Sequence, residues 1–101
     1  MKTIKSAVVA AFAALLFLMA ESVMAGEITG RIFFKDGSTC SSCRISASIK
    51  RSGMTGKVFT DNKGYFKLTW SSNNSIDELY VDGKKEREDI PSGDYVEIRL
   101  K

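Results

Sequence analysis

From residue 27 onward, apolar and polar positions alternate with a period of two, broken by short clusters of Gly, Asp, Asn and Ser. That is the pattern of half-buried strands separated by turns, and no segment there carries a helical stripe. Residues 27–35 put Ile28, Gly30, Ile32 and Phe34 on one face and Glu27, Thr29, Arg31, Phe33 and Lys35 on the other. Residues 44–51 turn Ile45, Ala47 and Ile49 inward against Ser46, Ser48 and Lys50. Residues 57–60 and 65–70 are the predicted arms of a central hairpin, the second with Phe66, Leu68 and Trp70 on one face. A short strand over 78–81 offers Leu79 and Val81 to the core, and 95–101 closes the chain with Val96, Ile98 and Leu100 inward. Between them lie a long loop from Asp36, a flexible turn over 52–56 and a polar loop over 71–75. The run 84–89 is charged throughout and exposed, with Ile90 tucked beneath it before Pro91-Ser92-Gly93 turns the chain.

The sharpest local signal is Thr60-Asp61-Asn62-Lys63-Gly64-Tyr65-Phe66. An Asp in a turn accepts hydrogen bonds from backbone N–H groups two or three positions on, and a Gly supplies the positive φ that returns the chain to a strand. Six or seven short strands with one apolar face each cannot bury a core as one open sheet. The prediction is therefore an all-β, antiparallel sandwich of two sheets.

The first residues carry an address. Lys2 and Lys5 precede an apolar run over residues 7–20, and Val23-Met24-Ala25 supplies small or tolerated residues before Gly26. This is a Sec-type signal peptide, helical and cleaved after Ala25. A run of 14 residues is too short for a membrane span, which needs roughly 20. No stable membrane insertion is expected after cleavage, and the product is periplasmic or secreted. Cleavage leaves 76 of the 101 residues, one small domain over 26–101. The remaining chain has 13 basic and 11 acidic residues, interspersed. No single-sign stripe for a phosphate backbone exists, so nucleic acid is not an expected partner.

Cys40 and Cys43 are the only cysteines. In an oxidising compartment the default is a disulfide. Closing so short a loop contributes about 2 kcal/mol by the loop-length relation. Two other readings stay open, a redox-active pair and a metal or intermolecular link. Arg44 would favour a thiolate, but no helix N-terminus is predicted to lower a thiol pKa.

Gly30 in the first strand, Asp36-Gly37 after it, Thr-Asp-x-x-Gly-x-Phe at positions 60–66 and a late Pro-x-Gly together resemble the carboxypeptidase regulatory-like domains. These belong to the transthyretin-like, or prealbumin-like, β-sandwiches, grouped with carbohydrate-binding-like folds. The resemblance covers nearly all of 27–101 and implies a fold rather than an activity. The chain departs from the pattern at Cys40-Ser41-Ser42-Cys43, where the family has a Pro or Gly pair. Some relatives, the B-type repeats of collagen-binding adhesins, form a Lys-to-Asn isopeptide bond. Lys35 stands near the matching place, but the last strand offers Glu97, Arg99 and Lys101 and no Asn, so none is expected.

Catalytic parts are missing from the sequence. It holds no His, the commonest general base and metal ligand. The carboxylate pairs Asp77-Glu78 and Glu88-Asp89 fall on opposite strand faces or in solvated loops, and no cofactor is implied. Oxygen ligands for calcium crowd Asp61 and Asn62, but turn chemistry accounts for them without a metal. The expectation is a non-catalytic binding or structural module of the cell envelope, with a protein or glycan as partner. Its candidate recognition surface is Phe33, Tyr65, Tyr80 and Tyr95, whose rings oppose the inferred core. The alternative is a periplasmic thiol-disulfide protein using Cys40 and Cys43.

Overall fold

The computed structural model describes residues 25–101; apart from Ala25, the predicted signal peptide lies outside them. Eight strands follow in order: β1 Gly26–Phe33, β2 Arg44–Ile49, β3 Gly53–Met54, β4 Val58–Phe59, β5 Tyr65–Trp70, β6 Ile76–Val81, β7 Lys84–Ile90 and β8 Tyr95–Arg99. They form a three-stranded sheet, β5-β1-β8, and a five-stranded sheet, β3-β2-β6-β7 with β4 also on β2. The inward residues of both sheets make one core, centred on the fully buried Ile28, Ile32, Ile45, Leu68, Ile76, Leu79 and Ile98. Removing such side chains from water, at about 25 cal/mol per Å² of apolar surface, is the main drive to fold.

Sheet pairing departs from the expected pattern in three places. First, β8 lies parallel to β1, with Gly30 opposite Val96 and Ile32 opposite Ile98, so the sandwich is not wholly antiparallel. The residues after β7 cross from one sheet to the other, and no hairpin sets the direction of β8. Second, the predicted hairpin arms belong to different sheets. β4 pairs with β2 and β5 with β1, so the turn between them is a passage across the sandwich. Period-two alternation tells which face is buried but not which strand is the neighbour. Third, the flexible turn at 52–56 contains β3, a two-residue addition to the edge of β2.

Two bulges explain further differences. Ser48 stands opposite Glu78 but Ile49 opposite Ile76, which leaves Asp77 as the extra residue. Ile76 and Leu79, three apart, therefore both point inward. The charged run 84–90 is also a strand, with Glu86 the extra residue between Leu79↔Arg87 and Tyr80↔Lys85. It forms a sheet edge whose charges discourage pairing with another chain, while Ile90 is buried as expected. Phe34, expected in the core, is 44% exposed. β1 ends one residue earlier, and a turn closed by Phe34 N–H on the Ser38 carbonyl (2.7 Å) takes the chain out of alternation.

Gly30 lies opposite Phe66 across β1 and β5. A Cβ there would come within 2.6 Å of the Phe66 ring, so the glycine is the seat on which the aromatic packs. Ile98 is fully buried at the centre of the parallel pair. Replacing it by Asn would strand an amide in an apolar core and cost 3 kcal/mol or more, on the order of half a small domain's stability. Chemical denaturation should show the I98N midpoint at about half the parent's denaturant concentration or lower.

Candidate functional site

The cysteine pair and the Thr60 motif converge on one knot. Cys40 and Cys43 form a disulfide, their Cα atoms 5.9 Å apart, and both residues are buried in the core. Thr60 is the buried polar residue among those described. Its Oγ1 donates to the Cys40 carbonyl (2.6 Å) and accepts from the Cys43 N–H (2.8 Å). Its backbone completes the clasp, with Thr60 N–H on the Cys43 carbonyl (2.9 Å) and Ser42 N–H on the Thr60 carbonyl (3.1 Å). The remaining motif residues shape the passage that follows. Asp61 Oδ1 accepts from the N–H groups of Lys63 and Tyr65, each at 2.9 Å, so the extra reach is to the fourth residue on rather than the third. Gly64 holds φ +84°, and a Cβ there would lie 2.6 Å from the Ile32 carbonyl. Phe66 then enters the core over Gly30. Among the described residues, no three Cys, Asp or Glu side chains gather as a cation site.

The four candidate aromatics divide between the two sheets. Antiparallel and parallel partners share a face, so Arg31, Tyr65 and Glu97 form one row across the outer side of the three-stranded sheet. Phe33 pairs with Arg99 on one side of this row, and Thr29 with Tyr95 on the other. The Arg31 guanidinium lies over both neighbouring rings, 4.5 Å from the Tyr65 centroid and 5.0 Å from that of Phe33. Its Nε donates to the Lys63 carbonyl (2.9 Å), which fixes the group in place. Its terminal nitrogens have no hydrogen-bond partner among the described residues. Tyr65 is 41% and Tyr95 52% exposed. The Tyr95 hydroxyl donates to Glu97 Oε2 (2.9 Å), and partial desolvation followed by this bond raises its pKa. Rings, guanidinium and carboxylate thus lie together on one exposed face.

Tyr80 lies elsewhere, on the outer side of the five-stranded sheet, between Ser46 and Lys85. The rings therefore do not converge on a single patch. Alternation alone gives the face of a strand but not the sheet to which it belongs. The sequence reading also missed Arg31, whose role appears only when β5 is set beside β1. Tyr80 donates to Glu78 Oε1 (2.9 Å), and Lys85 bridges Glu78 and Glu88.

No protein-family model and no curated protein matches the chain. Among solved structures, a 9R-lipoxygenase from Cyanothece is similar over 87% of this chain, at 14% identity and a TM-score of 0.47. The match covers 20% of that protein, so this chain spans about a fifth of its length.

Two measurements follow. Thr60→Val keeps the shape of the side chain but leaves a buried N–H and a buried carbonyl without its hydroxyl. It should lower stability by about 1–3 kcal/mol in denaturant titration. For Tyr80, the hydrogen bond to Glu78, then burial, then the carboxylate charge raise the pKa above its ordinary value of 10.0. A raised folded pKa favours the neutral phenol, so the contribution is full below about pH 10 and is lost as pH climbs through the folded value. Glu78→Gln should bring the Tyr80 titration down, seen as phenolate absorbance appearing at lower pH.

Proposed function

We propose that this chain is an exported, non-catalytic binding module of the cell envelope, a carboxypeptidase regulatory-like sandwich that recognises carbohydrate. The observation that carries the reading is the Arg31 guanidinium held over Tyr65 and Phe33, its terminal nitrogens without a hydrogen-bond partner among the described residues. Flat rings take the apolar face of a sugar, while a guanidinium, a phenol and a carboxylate on the same surface exchange hydrogen bonds with its hydroxyls. Tyr95 and Glu97 are already joined to one another and offer their remaining lone pairs to the hydroxyls of a ligand. Such a surface needs no moving part. It is built on three paired strands, which hold the side chains more firmly than loops do.

A thiol-disulfide function has less support. An exchange reaction needs a thiolate with access to its substrate, and both cysteines are buried beneath the Thr60 clasp. The pair is read instead as a local fastening of the loop before β2.

Titration of the protein with envelope-derived oligosaccharides, followed by amide chemical shifts, tests the proposal. Shifts should centre on Arg31, Phe33, Tyr65 and Tyr95. Arg31→Ala should weaken binding by about 10-fold or more, since it removes the charge-assisted donors and the cation between the rings. Undiminished binding by a correctly folded R31A variant, or no saturable binding to any glycan, would overturn the reading.

A further inference from the structure

We propose that the outer face of the five-stranded sheet is a second binding site, one that takes an acidic peptide segment of a partner protein. It is separate from the Arg31 surface and stands on different observations. A groove of about 260 Å³ there is lined by Arg44, Ser46, Met54, Lys57, Tyr80 and Gly83. The strand register explains its composition. Ser46 stands opposite Tyr80, Arg44 opposite Phe59 and Ser48 opposite Met54, so side chains from four strands share this face.

The two cations that line the groove take no part in an ion pair among the described residues. Ion pairs among the described residues join Lys50 to Asp89, Lys67 to Glu27, and Lys85 to Glu78 and Glu88. Neither Arg44 nor Lys57 takes part in one, and neither side chain makes a hydrogen bond among the described residues. The neighbouring carboxylates are already engaged. Glu78 accepts from Tyr80 and pairs with Lys85, while Asp82 Oδ1 accepts from the backbone N–H of Arg44 (2.9 Å). Gly83, at φ +84°, makes the turn at the end of the groove, where an Arg44 terminal nitrogen lies within van der Waals reach of the place a Cβ would take. An anion is the complement of such a site, and the guanidinium fork suits a carboxylate.

The apolar part of the face selects a peptide over other anions. Met54 and Phe59 are each 62% exposed, and the bond to Glu78 fixes the Tyr80 ring as a wall. Met, Phe, Tyr and Arg are the residues that protein contact surfaces favour. A uronate or a phosphate headgroup would use the two cations but leave Met54 and Phe59 in water. A segment with Asp or Glu beside an aliphatic or aromatic side chain uses both.

The test is selection of peptides from a random seven-residue display library by the immobilised protein, with Arg31→Ala and a doubly substituted Arg44→Glu, Lys57→Glu variant in parallel. Enriched peptides should pair a carboxylate with Leu, Met or Phe. Labelled copies of them should lose affinity by about 10-fold or more for the double variant, while R31A binds as the parent does. They should shift the amides of Arg44, Met54, Lys57 and Tyr80, and bind more weakly as salt rises. Melting curves of the double variant, equal to those of the parent, separate loss of contact from loss of fold. Enrichment without acidic residues, or binding that a folded double variant retains, would overturn the proposal. So would an empty selection beside binding of this face to uronate oligosaccharides or anionic vesicles. Failure of the glycan titration leaves these outcomes unaffected, because the Arg31 surface is on the other sheet.

Discussion

Thr60 sits where the chain leaves one sheet for the other, and its buried hydroxyl ties together the two cysteine residues that begin the second layer. In water those backbone groups would be solvated; inside the core each needs a partner, and Thr60 supplies two of them at once. The disulfide shortens the same loop covalently. Around this fastening, Asp61 and Gly64 redirect the chain so that Phe66 arrives over Gly30. The first sheet is thereby docked to the second at a fixed point, and the remaining apolar side chains fill the space between. A domain of this size buries little surface in excess of what it needs, so such local fastenings carry more weight than they would in a larger protein.

The same architecture leaves two outer faces with different chemistry. The face of the three-stranded sheet gathers a guanidinium between rings, with a phenol and a carboxylate beside it. The face of the five-stranded sheet sets two unpaired cations among exposed apolar side chains. Ion pairs among the described residues are few; Lys85 serves two carboxylates, and Lys50 and Lys67 each have one. Surface pairs of this kind contribute little to stability. What marks Arg31, Arg44 and Lys57 among the cations is their setting, the first over two rings and the other two lining one groove. The two proposed sites thus lie on the outer faces of different sheets of one domain.

The sequence by itself determined the class of the fold and the inward face of its principal strands, because a pleated strand alternates sides with every residue. Ile28, Ile32, Ile45, Phe66, Leu68 and Ile98 were legible as core for this reason, as was the turn chemistry of Asp61 and Gly64. What alternation cannot encode is the neighbour. The parallel approach of β8 to β1, the division of the supposed hairpin between two sheets, and the bulge that turns Ile76 inward all depend on contacts distant in the chain. The candidate site followed the same division. Phe33, Tyr65, Tyr80 and Tyr95 could be picked out as outward rings, but their separation onto two faces, the place of Arg31 between two of them, and the unpaired state of Arg44 were settled only when the strands were laid side by side.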